Sequence, residues 1–239
     1  MRRSPVGHMM PAEEAKMDAI DIILPIATAI ALSPLPIIAV VLIAGSPGAR
    51  VSGPMYLAGW AAGLVALAIA AAVVTHLVGD IGPTGEVVLD WLRVILGGLL
   101  LWAAARKWKT RPQGLEEPAT PKWLDALRQV GPGAALLWGA TLAAVNPKHV
   151  GLVLAAMASL AYVPLSSGEM ILSTLLLVAL SSGPVAAVVV SRAIAGEAAT
   201  PLLLSIEQFL LRNNDVIVMT VLGLIGMVVL GKGLSGILG

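Results

Sequence analysis

The chain has 239 residues, of which 58% are hydrophobic and 12% charged, with a formal net charge of +1 and a mean hydropathy of +0.91. Soluble domains are nearer half apolar and one quarter charged, so this composition cannot surface a water-soluble fold and places the chain in a membrane. The absence of cysteine excludes disulfides, thiolate metal sites and cysteine nucleophiles.

Residues 1–17 read as a polar N-terminal tail, with Met17 as an alternative start. Arg2 and Arg3 are not followed by an apolar core before Ile20, and the apolar run then continues to Gly45, too long for the core of a signal peptide. A bilayer core needs roughly 20 apolar residues per helix. Spans are predicted at about 20–45, 53–79, 87–105, 132–162, 170–192 and 214–236.

Within the first span, Ser33-Pro34-Leu35-Pro36 predicts an interruption. Each proline removes an amide donor and crowds the carbonyl one turn earlier. Freed carbonyls and a half-helix N-terminus then offer dipole ends to a polar solute; the alternative is a kink that only serves packing. In the second span, Gly59-Trp60-Ala61-Ala62-Gly63 has small residues four apart and predicts close helix packing. His76 and Arg93 lie near span ends beside Asp80, Glu86 and Asp90, which predicts local ion pairs.

Residues 106–131 carry Arg106, Lys107, Lys109, Arg111, Lys122 and Arg128 among Pro112, Pro118 and Pro121. They predict a basic linker, with a short surface helix around 123–130, dividing a first repeat (18–105) from a second (132–239).

The fourth span holds Asn146-Pro147-Lys148-His149. A lysine at mid-span costs several kcal/mol unless paired, hydrated or able to snorkel. Asn146 precedes a proline and is biased out of the helical region, which leaves its amide for backbone or ligand. Lys148 suits an anionic group, and His149 titrates near neutrality or serves packing. In the fifth span Ser181-Ser182-Gly183-Pro184 predicts another interruption, either self-satisfied by its hydroxyls or facing the other two breaks. Residues 193–212 read as an amphipathic surface helix or a simple connector.

No acidic residue lies deep in a span; Asp21, Glu169 and Asp215 are all at ends, which speaks against a carboxylate proton relay or a hard-metal site. No H-E-x-x-H, G-x-S-x-G, Walker A or dinucleotide loop is present. No enzyme activity, cofactor, metal or nucleic-acid partner is expected.

The proline breaks of spans one and four match, and Leu96-Gly97-Gly98 answers Leu222-Gly223-Leu224. Three helices per unit is an odd number, so the second unit inserts upside down, the inverted-repeat architecture of transporters with a midplane site. The fold expected is all-α: six transmembrane helices in two inverted three-helix repeats, with helices 1 and 4 broken by proline. Nine lysines and arginines near the ends of one set of loops, against four on the other, place the linker in the cytoplasm and both termini outside a bacterial inner membrane.

The proline pair, the Asn-Pro-Lys element and the 3+3 arrangement resemble the lysine exporter (LysE) superfamily. Ala31–Ile37, Ala44-Gly45-Ser46-Pro47-Gly48-Ala49-Arg50 and Leu57-Ala58-Gly59-Trp60 resemble its actinobacterial Gap-like branch, the glycolipid- and sulfolipid-addressing proteins. The resemblance covers nearly the whole chain from about Asp18 and implies export: amino acids or ions in the wider superfamily, envelope glycolipids in this branch. Amino-acid exporters of the superfamily carry Pro-Gly-Pro in helix one; Leu35 replaces that glycine and weakens an amino-acid substrate.

The reading is therefore a secondary exporter of a small polar or anionic metabolite or an envelope lipid. Its substrate site is Ser33, Pro34, Pro36, Asn146, Pro147, Lys148 and His149, with Ser182, Gly183 and Pro184 nearby. Two alternatives stand beside it: a non-transporting membrane partner of a lipid-synthesis or lipid-export machine, docked through the basic linker, and a cation or metal exporter. Membrane lipids are expected partners, and small-residue helix faces suggest a homodimer.

Overall fold

The computed structural model describes residues 12–79, 83–110 and 126–238. Eight helices make up almost all of it: α1 (Ala12–Ala31), α2 (Pro34–Ala44), α3 (Ala49–Gly79), α4 (Pro83–Thr110), α5 (Pro132–Ala144), α6 (Pro147–Leu160), α7 (Ser167–Ala195) and α8 (Thr200–Leu238). No strand occurs among the described residues. The element order repeats: a bent pair of short helices, then two long ones, in each half of the chain.

Both bends follow from proline chemistry. α1 and α2 meet at 54° and α5 and α6 at 62°. Ser33 and Asn146, the residues ahead of Pro34 and Pro147, are both extended, at ψ 112 and ψ 117. This is the conformation forced on a residue that precedes proline. Proline then opens the next helix, where its missing N–H costs nothing.

Two stretches are long and apolar enough to cross a membrane unaided, Ala49–Leu77 and Ser167–Leu238; counting each bent pair as one span brings the total to four. The chain is thus a helical membrane protein. The 72-residue stretch is divided at Gly196, whose φ of 56 is the single positive value among the described residues. A side chain there would be strained.

Lipid gives helices no hydrophobic reason to associate, so close approach of small residues does that work. α3 packs on α5 and α4 on α8. A methyl group on Gly59 or Gly63 would run into the backbone of Leu136 or Ala140, and one on Gly139 into that of Tyr56. Gly97, Gly226 and Gly233 do the same between α4 and α8. The packing expected of Gly59 and Gly63 is present, and these small faces are used within one chain. α1 packs on α7, α2 on α7 and α8, α3 on α6 and α7, and α1 on α6.

Several expectations need correction. The serine-proline element of the fifth span does not interrupt it: α7 is continuous through Pro184. Pro184 costs α7 only the donor to the Leu180 carbonyl, and Ser182 Oγ, which donates to the Val178 carbonyl at 2.7 Å, does not replace it. The last helix starts at Thr200, not near 214, so Arg212 to Asp215 are helical. Asn213 Nδ2 donates to the Phe209 carbonyl within the helix, and Lys107 donates to Asp215 at 2.5 Å from the neighbouring α4.

α4 continues to Thr110, taking the first residues of the supposed linker; 111–125 lie outside the described residues, and Leu127–Gln129 form a single 3-10 turn. α1 begins at Ala12 rather than near Ile20, with Glu13 and Glu14 favourably placed against its N-terminal dipole. The rest of the expected tail, residues 1–11, lies outside the described residues. The ion pair expected of Arg93 forms with Asp90 at 2.6 Å.

Candidate functional site

The two helix breaks meet. At the first, Pro34 has no N–H for the Ile30 carbonyl, and the Ser33 N–H turns to it instead at 3.1 Å. That shift takes from the Ala29 carbonyl the donor it would have in a continuous helix. Lys148 Nζ, reaching over from the second break, donates to the Ala29 carbonyl at 3.1 Å and to Ser33 Oγ at 2.5 Å.

The second break has the same defect and its own remedy. Pro147 cannot donate to the Ala143 carbonyl, and His149 Nδ1 takes its place at 3.1 Å. A carbonyl only accepts, so Nδ1 carries the proton. Nε2 of the neutral ring then accepts from Ser33 Oγ, 2.9 Å away. A directed chain results: ammonium to hydroxyl, hydroxyl to imidazole, imidazole to carbonyl. Asn146 Oδ1 accepts from the Lys148 N–H at 3.0 Å and caps α6.

This centre is packed from one side by α3. His149 is fully buried and Ser33 3% exposed. Trp60 meets the His149 ring edge-on, at 5.4 Å between centroids. Tyr56 Oη, one turn earlier on the same face, donates to the Pro36 carbonyl at 3.0 Å. Glycines 59, 63 and 139 allow α3 close enough to α5 for these rings to reach.

The structure brings Ser33, Pro34, Pro36, Asn146, Pro147, Lys148 and His149 together at this junction. Ser182, Gly183 and Pro184 show no contact with it among the described residues. Ser182 bonds only its own helix, and Gly183 is exposed with open space around it. The lysine does not snorkel outward; it is drawn in by the freed carbonyl. Four participants escaped the sequence reading: Tyr56, Trp60 and the carbonyls of Ala29 and Ala143. Trp60 gave a signal, since it lies mid-span where interface tryptophans do not.

The ammonium has three N–H groups and two are engaged, while Asn146 Nδ2 has no hydrogen bond among the described residues. The free donors suit an acceptor-rich or anionic group. Among the described residues no three histidine, aspartate or glutamate side chains are grouped to hold a metal ion.

No curated protein and no solved structure matches the chain. One protein-family model does, described as Sap, sulfolipid-1-addressing protein (SfLAP), and it matches residues 23–235. Both helix breaks and every residue of the junction fall inside that match, and the chain belongs to the sulfolipid-1-addressing protein family.

Proposed function

We propose that the chain is a secondary exporter of the LysE type, moving a small polar or anionic metabolite or an envelope lipid out of the cytoplasm. The observation that carries this reading is the cross-tie between breaks: Lys148 of one broken helix holds the carbonyl freed in the other. Broken helices meeting at mid-chain, with dipole ends and spare donors, are how inverted-repeat transporters hold substrate.

The packing supports an inverted repeat. Exchanging α1–α4 with α5–α8 maps α1 on α7 to α5 on α3, α1 on α6 to α5 on α2, and α2 on α7 to α6 on α3; each of these pairs is in contact. α4 with α8 and α3 with α7 map onto themselves. On this reading α7 and α8 are separate crossings, α4 is the sixth, and the end bearing 45–48, 126–131 and 196–199 faces the cytoplasm of a bacterial inner membrane. A homodimer would use faces other than the glycines already engaged inside the chain.

Proteoliposomes holding the full chain test this with two probes, a fluorescent anionic phospholipid and a radiolabelled amino acid. Movement of at least one probe is expected, falling about tenfold or more in Asn146→Ala and Lys148→Ala of unchanged helicity. Unchanged movement in both variants would sink the assignment. The family description speaks of addressing a lipid and names no transport, which favours the non-transporting partner as the second reading. That reading predicts movement of neither probe by the intact chain and loss of function on deleting 111–125.

A further inference from the structure

The two ends of the helix bundle are packed differently. Under the exchange of halves, the contact of α2 with α8 should be matched by one of α6 with α4. α2 does pack on α8, but α6 has no comparable packing on α4 among the described residues. A groove of about 460 Å³ lies on that side instead, with Leu152 and Ser159 of α6 on one wall, Val228 of α8 on the other and Arg93 of α4 at its outer end. It runs inward to Ala29 and Leu32, and the Ala29 carbonyl is the one that takes Lys148. Outward, it shares Arg93 and Ser159 with a second cavity of about 600 Å³ beside Tyr162. A path therefore reaches the junction from the end that bears Tyr162.

The opposite end is shut by the turn Leu127–Gln129. Leu127 is fully buried, and the turn packs on α2. Arg128 Nη2 donates to Glu207 Oε1 of α8 at 2.9 Å, and the Val130 carbonyl accepts from Ser52 Oγ of α3 at 3.2 Å. The turn thus ties α2, α3 and α8 to one another. The hollow beside it, about 430 Å³, is lined by residues 46–48, 51, 52 and 128–132 and contains no residue of the junction. The ion pair is the weak tie. Glu207 is 6% exposed, yet its Oε2 has no hydrogen-bond partner among the described residues. A buried carboxylate satisfied at one oxygen recovers only part of its desolvation cost, so the closed arrangement is held with little to spare.

We propose that Arg128 and Glu207 form the latch of a cytoplasmic gate, whose release lets α2 leave α8 while α6 closes onto α4. Access in inverted repeats alternates by rocking one set of helices against the other, which closes the open end and opens the closed one. The contact present at α2 and α8 and missing at α6 and α4 marks which pair each state uses. α4 with α8 maps onto itself, so the Lys107–Asp215 pair holds in both states. The inference rests on the exporter reading and its orientation, and names how access to that site is controlled.

The chain has no cysteine, so introduced pairs of cysteines alone carry spin labels. Double electron–electron resonance on the full chain in nanodiscs then reads both ends. Gly45→Cys with Leu204→Cys spans α2 and α8 at the latched end, and Val87→Cys with Tyr162→Cys spans α4 and the end of α6 at the other; all four positions are exposed. Arg128→Gln, at an exposed side chain, should raise the population of the long 45–204 distance about threefold to tenfold. The 87–162 distance should shorten in the same fraction of molecules. Glu207→Gln should do the same, and Lys107→Gln should move neither distance. Unchanged distances in both latch variants, a longer 45–204 distance with no shortening at 87–162, or an equal response to Lys107→Gln would each overturn the latch. Distances are read without flux, so the two readings fail separately. Opposed changes with no movement of either transport probe overturn the exporter alone, and movement of a probe with both distances fixed overturns the latch alone.

Discussion

The two helix breaks look alike in sequence and are unequal in structure. Asn146 caps its own helix and His149 satisfies its own freed carbonyl, so the second break is complete by itself. Ser33 makes no such cap, and the Ala29 carbonyl is satisfied by Lys148 from the other half of the chain. Lys148 of the second break donates twice into the first, and Ser33 of the first returns one hydrogen bond to His149. A repeat in which each half were self-sufficient would have no reason to stay joined at this point. This one is tied by the asymmetry, and a ligand that competes for Lys148 would loosen the first break while leaving the second intact.

The largest effect should come from separating the breaks physically. Gly139→Val places a branched side chain against the Tyr56 and Trp60 backbone and should cost about 3 kcal/mol, as overpacking of a tight contact does. Detergent melts should show it, and a shift no larger than that of Gly133→Val, at a site with open space around it, would contradict the close approach.

Next is Lys148→Met, which strands the Ala29 carbonyl and should cost about 1–3 kcal/mol. Its loss should appear as faster hydrogen exchange at residues 30–35, with residues 143–147 unaffected. Equal acceleration at both breaks would erase the asymmetry.

Asn146→Ala removes a helix cap worth about 1 kcal/mol. The exchange pattern should reverse, with α6 amides near Lys148 exposed and α1 unchanged. Smallest of all is Ser182→Ala, since that hydroxyl only returns to its own helix; a change within about 0.5 kcal/mol is expected. A large loss in its flux or stability would restore the fifth span to the site.

The breaks were legible because a polar residue followed by proline inside an apolar run has one backbone consequence, an extended residue, which Ser33 and Asn146 both show. Gly59 and Gly63 were legible because small residues four apart on one face let a second backbone in. Pro184 misled because the rule for proline concerns a lone helix, whereas α7 is packed on α1, α2 and α3 and stays continuous with one backbone bond missing. The last helix was placed too late because residues 193–212 read as a separate surface helix or a connector; Lys107 on α4 pairs with Asp215 inside that helix, and no local pattern announces a partner 108 positions away. The carbonyls of Ala29 and Ala143 were invisible for a simpler reason. Alanine advertises nothing, and its backbone becomes functional only through what proline takes away one turn later.

The central claim is the cross-tie itself. Solid-state NMR of the full chain in bilayers, with labelled lysine Nζ and alanine carbonyls, measures it directly, and Lys148→Arg identifies the signal. The account predicts that Lys148 Nζ lies within hydrogen-bonding reach of the Ala29 carbonyl, near the 3.1 Å found here. A Lys148 ammonium with no alanine carbonyl in reach and rapid exchange with water would contradict it.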